Sequence, residues 1–592
     1  MVAIREGRIK KNDILRVELE NERSSFIGHW RDLGDHNLPR RTRFTTHDTN
    51  KGQGRNQKII NSTGPLSVRT LRSGMTAGIT SPARPWFRLT IQDKALAESG
   101  PVKIWLEQVT DKIRSIFLKS NLYNNLSTIY GDLGVFGTGC IFMEEDFEDV
   151  VRFYALPIGS YAIANDDKLK VRVFMREFRY TVRQIVSKFG TNFDQEKGSE
   201  TFGQPDWTNI SGHVKQLWIN GQRETWVDVC HIIKPNDDFD PNKLESKFKR
   251  YSSVYYEKGT LSAGQGTASN ATDGDSDKLL KESGYNHFPV LAPRWETTGE
   301  DSYATSCPGM ISLGDNKALQ TMEKRLAQAV EKMVNPSMTG PSSLRNTKVS
   351  ILPGDVTYDD TREGQKGFRP SHEVDPKVGE LNQAIEKHEN RIEKAYFVDL
   401  FLMLSNTDRR EITAREVDER HEEKLLGLGP VLENVNQDLL DPLVENTIKF
   451  GFDQGIFPEP PEELQDAELK IEYISIMAQA QKLAGIASLE RFVAFAINLA
   501  KEVAAAQGVA LLDKLNLDQI IDVYADRMGV DAEIVVTDED VAFIRKDRAA
   551  RDAAQAQLEA MNSGADTAAK LASADLEGDN ALKRVVETAG AA

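Results

Sequence analysis

Cysteine is scarce in this chain. Cys140, Cys230 and Cys307 are the only three in 592 residues, and they stand far apart. With no C-x-x-C pair, neither a zinc ribbon nor a dithiol redox centre is indicated. The three thiols are expected to be small buried side chains in a reducing compartment. Long apolar runs are lacking too. A membrane-crossing helix needs about 18 or more consecutive apolar residues. The nearest candidate, 491–500, is too short and reads as a buried helix. The opening Met-Val-Ala-Ile-Arg-Glu-Gly-Arg has no apolar leader region, so the chain is expected to stay in the cytoplasm where it is made. Neither the phosphate-cradling G-x-x-x-x-G-K-[ST] nor the nucleophile elbow G-x-S-x-G is present. The nine histidines never fall into H-E-x-x-H spacing. Gly134, Gly137 and Gly139 sit in a glycine-rich stretch without a phosphate-binding lysine, and are expected in a tight turn where backbones pack closely. Glu144, Glu145 and Asp146 offer oxygen ligands for a hard cation, although an exposed acidic turn is the commoner meaning. The expectation is therefore no catalytic residue, no cofactor and no metal, and a chain that is not an enzyme.

What is present is a large packed protein. The sequence is 40% hydrophobic and 28% charged, the balance of a soluble globular fold. At about 150 residues per domain, its length allows roughly three or four units. The formal net charge is −16. Duplex DNA carries one negative charge per ~1.7 Å, so this total argues against a protein that grips DNA over its surface. The first sixty residues are locally basic, with Arg40, Arg41, Arg43, Lys51, Arg55 and Lys58. Two readings compete: contact with phosphates or an acidic partner, and salt bridges between subunits. The acidic whole favours the second.

Periodicity divides the chain into helices and strands. A basic helix opens it. Ser99 and Pro101 mark a helix start, and Trp105, Val109, Ile113 and Ile116 give that helix a core face. Residues 140–180 and 288–295 read as strands and turns, and the Gly/Ser-rich 259–278 as a mobile surface loop. Leu313 to Met333 reads as one helix, stopped by Asn335-Pro336. Val378 to Leu404 reads as another, with Leu381, Ile385, Ile392 and Tyr396 aligned. Between them lies a stretch rich in proline, glycine and short β-prone runs. Residues 469–473 alternate as a half-exposed strand, and the Ala-rich 545–592 reads as a helix or a tail.

One helix start is especially well marked. Thr413 and Glu416 form a T-x-x-E capping box, and Ile412 with Val417 supplies a hydrophobic staple. Gly427, Gly429 and Pro430 are expected to kink or interrupt this helix. Apolar residues resume at Val431, Leu432, Val435, Leu439 and Leu443, with Pro442 as a second kink and Gly451 as the stop.

This segment, Ile-Thr-Ala-Arg-Glu-Val-Asp-Glu-Arg followed by Leu-Gly-Pro-Val-Leu, resembles the head-to-tail connecting (portal) proteins of short-tailed, podovirus-type bacteriophages. Further blocks resemble them in the same order. They are Glu22-Arg23-Ser24-Ser25-Phe26 with Trp30, Leu38-Pro39-Arg40-Arg41, Gln57 to Thr63 and Pro85-Trp86-Phe87-Arg88-Leu89. Tyr130 to Gly139, Pro157 to Tyr161, Leu313-Gly314-Asp315 with Glu323-Lys324-Arg325, and Glu472-Tyr473-Ile474-Ser475 follow. The resemblance runs from about residue 20 to 550. It departs at Tyr303-Ala304-Thr305-Ser306-Cys307-Pro308-Gly309 and after Ser475.

The resemblance implies an α+β portal fold of wing, stem, clip and crown around long central helices, assembled as a ring with an axial channel. It places a wing in 1–310, a first stem helix in 311–334, a clip in 335–375 and a second stem helix in 376–404. A tunnel loop (405–412), a long kinked wing helix and strand (413–475), a crown (476–547) and an Ala-rich helix or tail (548–592) complete it. Twelve copies of Asn406, Thr407, Asp408, Arg409 and Arg410 would ring the lumen, where the arginines either touch DNA phosphates or pair between subunits. In the clip, Arg345, Lys348, Arg362, Lys366 and Arg369 alternate with Asp355, Asp359, Asp360 and Glu363, a mixed charge suited to protein docking. The implied partners are copies of the chain in a dodecamer, double-stranded DNA in the channel, a tail adaptor, the terminase packaging motor, scaffold and major capsid protein. No membrane is implied. The implied place is the portal vertex of the virion, after assembly in the host cytoplasm. An acidic channel lining, which would let DNA slide, fits the net charge, as does an acidic exterior. A helical scaffold or adaptor without a channel is the alternative.

Overall fold

The computed structural model describes residues 2–48, 52, 54–93, 96, 99–146, 148–190, 205–258, 279–339, 369–370, 377–405, 427–464, 469–475, 477, 492–495, 518–521, 536 and 538–572. The chain divides into two compact units, Met1–Ala484 and Gly485–Ala592. It is of mixed helix and sheet, as expected.

The first unit opens with α1 (Val2–Asn37) and α2 (Thr63–Gly78), followed by β1 (Phe87–Ile91). In α3 (Gly100–Lys119), Trp105, Val109, Ile113 and Ile116 are buried as their spacing requires. Ser99 does hold the cap position, but its hydroxyl donates to Glu463 at 3.1 Å instead of capping the helix. α4 (Leu122–Phe136) ends at Gly137, whose φ of 75° suits a residue without a side chain. The glycine-rich stretch is therefore mainly a helix end. Gly134 lies within α4, where a β-carbon would come within 2.6 Å of Leu71 Cδ2.

Two antiparallel sheets follow. β2 (Ile141–Asp146) lies between β3 (Val150–Ala155) and the short β9 (Val290–Leu291). The larger sheet has the order β4 (Tyr161–Asn165), β5 (Val171–Thr181), β6 (Trp226–Pro235), β7 (Tyr251–Glu257) and β8 (Lys281–Tyr285). The period-2 alternation of β6 feeds two cores. Cys230 and Ile232 join Leu19 of α1, whereas Val229 joins the cluster made by α5 (Val182–Phe189) and α6 (Gly212–Ile219). All three cysteines are buried free thiols. Burial pushes those of Cys230 and Cys307 up to about 12.

α7 (Pro308–Val334) begins five residues before the expected start at Leu313, because Pro308 occupies the first turn with its φ already set. Asn335 ends it as expected. The single helix expected from Val378 to Leu404 is two. α8 (Val378–Ala395) and α9 (Val398–Ser405) part at Phe397, whose φ is 55°. β10 (Met338–Thr339) and β11 (Arg369–Pro370) pair antiparallel between α7 and α8.

Residues 427–435 are continuously helical, so Gly429 and Pro430 do not interrupt them. The irregularity falls instead at a π-helical turn, Asn436–Leu440, directly before Pro442 at the start of α10 (Asp441–Asp453). Gly451 is not the stop: α10 runs on to Asp453, and Gly455, φ 66°, follows. Gly451 instead makes room for the ring of Phe457, which would lie 2.0 Å from a β-carbon there. Ile412, Thr413, Glu416 and Val417 lie outside the described residues. β12 (Leu469–Tyr473) returns to pair antiparallel with β1, and Arg88 bonds Glu472 across the pair at 2.8 Å.

In the second unit, 492–495 and 518–521 are helical, and α11 (Asp538–Ala572) runs through residue 548 without a break. Arg545 donates two 2.7 Å bonds to Asp518.

Candidate interaction site

α7 and α8 pack side by side and run in opposite directions: Asp315 meets His388 and Arg391, whereas Met338 beyond α7 meets Pro370 ahead of α8. The β10–β11 pair closes one end of this helical stalk. At the other end, α7 is sunk in the core through Leu313 and Leu319. Met322 and Leu326 pack partly buried against that core. Toward the β10–β11 pair the apolar side chains emerge into solvent, with Val330 44%, Met333 55% and Val334 80% exposed. Only the half of α7 near the core is covered.

The root of the stalk is fixed by an amide network. Gln320 accepts from the backbone nitrogens of Ile60 (2.6 Å) and Asn61 (2.8 Å), and donates to Asn61 O (3.0 Å) and Asn316 Oδ1 (2.9 Å). Asn316 in turn donates to Asn37 of α1 at 3.0 Å. The side-chain amide of Asn61 donates at 2.8 Å both to Glu323 of α7 and to Glu389 of α8. Ion pairs tie the outside: Lys317 to Asp32 at 2.7 Å and Lys58 to Asp35 at 2.8 Å. The Lys317 hydrogen bond holds the Asp32 carboxyl below its usual value, and Asp35 raises the Lys58 ammonium.

In the basic N-terminal stretch, Arg41, Arg43, Arg55 and Lys58 have contacts within the chain. Arg41 pairs with buried Asp132, Arg55 with Asp48 at 3.8 Å and Lys58 with Asp35, while Arg43 donates to Thr46 O at 3.0 Å. Their partners lie within the chain. The acidic run 144–146 is likewise divided: Glu145 accepts from Gln454 at 3.0 Å, and Asp146 faces Arg152 at 3.5 Å. Among the described residues, no three His, Cys, Asp or Glu side chains converge on a metal-sized space.

Of the expected clip residues, Arg369 stands in β11. Arg345, Lys348, Asp355, Asp359, Asp360, Arg362, Glu363 and Lys366 lie outside the described residues, as do Asn406, Thr407, Asp408, Arg409 and Arg410. Sequence reasoning missed Asn61 and Gln320 as joints, although Asn61, Asp315 and Glu323 all belong to blocks that carried the resemblance. Those blocks meet one another in space, and meet the segment 303–309 where the resemblance departs. Trp30 stacks edge-on to Tyr303 at 5.1 Å, Arg23 donates to Gly159 O at 2.9 Å, and Cys307 contacts Val135 O at 3.2 Å.

The model of the family described as "Bacteriophage head to tail connecting protein" matches residues 13–535. The chain belongs to this family. It is similar to the portal protein of Salmonella phage epsilon15, with 46% identity over 576 residues, 97% of each chain. It is also similar to the probable portal protein of Bordetella phage BPP-1, with 40% identity over 570 residues, 96% of each. No helix among the described residues is long and apolar enough to cross a membrane.

Proposed function

We propose that this chain, a head-tail connector of the portal type, forms a twelve-fold ring at one capsid vertex and conducts the genome during packaging, retention and ejection. The observation that supports this best is the α7–α8 stalk: anchored at its root, closed by the β10–β11 pair, and apolar on its exposed end. Side chains such as Met333 and Val334 gain from burial against a neighbour, at about 25 cal/mol per Å² of apolar surface. A ring supplies that neighbour for every copy.

In this reading 308–334 and 377–395 are the stem, 335–375 the clip, and 476–547 the crown, with the helix that starts at Asp538 running on from it to Ala572. The clip, through Arg369 and the alternating charges of 345–366, docks the terminase motor and later the tail adaptor. Scaffold and major capsid protein bind the rim. Residues 405–412 face the lumen, where Arg409 and Arg410 either touch phosphates or pair between subunits. The protein is a conduit without catalysis of its own, at the head-tail junction of the virion, assembled in the host cytoplasm.

Electron microscopy with native mass tests the assembly. A ring with an axial channel, about 794 kDa for twelve copies of 66.2 kDa, is expected. A discrete dimer without a channel that persists with scaffold and capsid protein added overturns the reading in favour of a helical adaptor. Neutralising Arg409 and Arg410 separates their two roles: lost genome retention with intact rings marks phosphate contact, and failed rings mark pairing between subunits.

A further inference from the structure

The parting of α8 and α9 is not written into their own sequence. From Glu380 to Ser405 there is neither glycine nor proline, and the apolar period continues across the break. Local preference therefore favours one rod. The structure instead puts Phe397 at φ 55°, a left-handed conformation that a β-carbon disfavours. The first bond of α9 then runs from Phe401 N to Phe397 O at 3.2 Å.

Tertiary packing holds the bend. α9 lies against α2, with Val398, Leu400 and Phe401 buried. The ring of Phe401 fills a notch left by Gly74 of α2: a β-carbon on Gly74 would lie 2.0 Å from Phe401 Cδ1 and 2.7 Å from its Cβ. No swing of the ring alone clears such an overlap, because the Phe401 β-carbon is itself too close. Local and global preferences thus oppose each other at one joint, the condition for an element with two arrangements.

We propose that α9 is a hinged helix with two states. Docked through Phe401 in the Gly74 notch, it is bent away from α8. Undocked, it continues α8 as a single helix from 378 to 405, and Phe397 relaxes into the right-handed region. The switch changes the direction in which the chain leaves Ser405. It does not depend on the portal reading.

Spin labels on exposed Lys387 and Leu402 test it, in the full chain with labelled copies diluted among unlabelled ones. The native thiols are buried and stay unlabelled. A continuous helix separates the two sites by about 22 Å along its axis, at 1.5 Å per residue; the bend brings them closer. The parent is expected to show the short distance. Gly74→Ala, which improves α2 as a helix but fills the notch, is expected to move the population to the long one. Phe401→Ala reaches the same state by removing the knob, and serves if Gly74→Ala does not fold. Adding Phe397→Gly to either restores the short distance, since glycine accepts the left-handed turn and weakens the rod. A short distance retained in both single variants overturns the hinge. So does a long distance in them that Phe397→Gly leaves unchanged.

Discussion

Arg41 reaches across 91 residues of sequence to chelate Asp132, Nε donating to Oδ1 at 3.0 Å and a second guanidinium nitrogen to Oδ2. The Asp132 side chain is 1% exposed and that of Arg41 25%. Burial raises the Asp132 carboxyl even with the guanidinium beside it. Removing the acid strands a mostly buried cation, so Asp132→Ala is expected to cost about 3 kcal/mol. Denaturant midpoints measure it. A change within ~0.5 kcal/mol would mean that the pair is ornamental.

At the root of the stalk, the Asn61 side-chain amide lies between Glu323 and Glu389. Asn61→Asp removes both donated bonds and adds a third carboxylate, and is expected to lower stability by about 2–3 kcal/mol. Glu389→Gln in the same chain should recover part of the loss. Thermal unfolding of the four chains of the cycle gives the coupling. Simple additivity would show that the two sites do not interact.

His231 and His287 set a pH dependence. His231 is enclosed, accepting from Arg176 at 3.2 Å and stacked on Tyr255 at 3.8 Å. Burial, then Arg176, holds its pKa well below the usual 6.5. Burial and Lys449 bring His287 down to about 4. Below pH 6.5 the unfolded chain takes up protons that the folded chain refuses, so folding weakens as pH falls from 6.5 toward 4. Melting temperatures across that interval should decline, and His287→Asn should flatten the slope. An unchanged slope in the variant would clear His287 of the effect.

Gly309 sits where a β-carbon would come within 2.4 Å of Val135 O. Gly309→Ala pushes α7 off the end of α4, and is expected to cost about 1–3 kcal/mol although alanine is the better helix former. A gain in stability would mean that the two helices slide apart freely.

The exposed end of α7 behaves differently. Val330→Ser, Met333→Ser and Val334→Ser together touch no core. They are expected to leave the monomer's unfolding midpoint within about 0.5 kcal/mol while reducing ring yield on a sizing column. Unchanged yield would move the subunit contact elsewhere.

The legible parts of the fold were those with a period. The face of α3, the strands between 140 and 180, and the Asn335 stop of α7 were all legible within a few residues. The break at Phe397 was not legible, because its cause is Gly74, more than three hundred residues earlier. The start of α7 was missed because Pro308 lies outside the apolar period that drew attention to Leu313. Gly451 looked like a helix end because glycine commonly is one; only the ring of Phe457 explains it. The amide joints at Asn61 and Gln320 leave no periodic trace. The acids that pair with Arg41 and Lys58, Asp132 and Asp35, were not legible because they lie on separate elements.

The pairing of β1 with β12 has a consequence for how the molecule is made. Residues 87–91 leave the ribosome long before 469–473 exist, so β1 must wait, without its strand partner, through the synthesis of almost four hundred residues. Contacts this remote in sequence close late and slowly. Newly made chains are thus vulnerable at this edge for most of translation, and truncation anywhere before residue 469 leaves an open β-edge that invites aggregation.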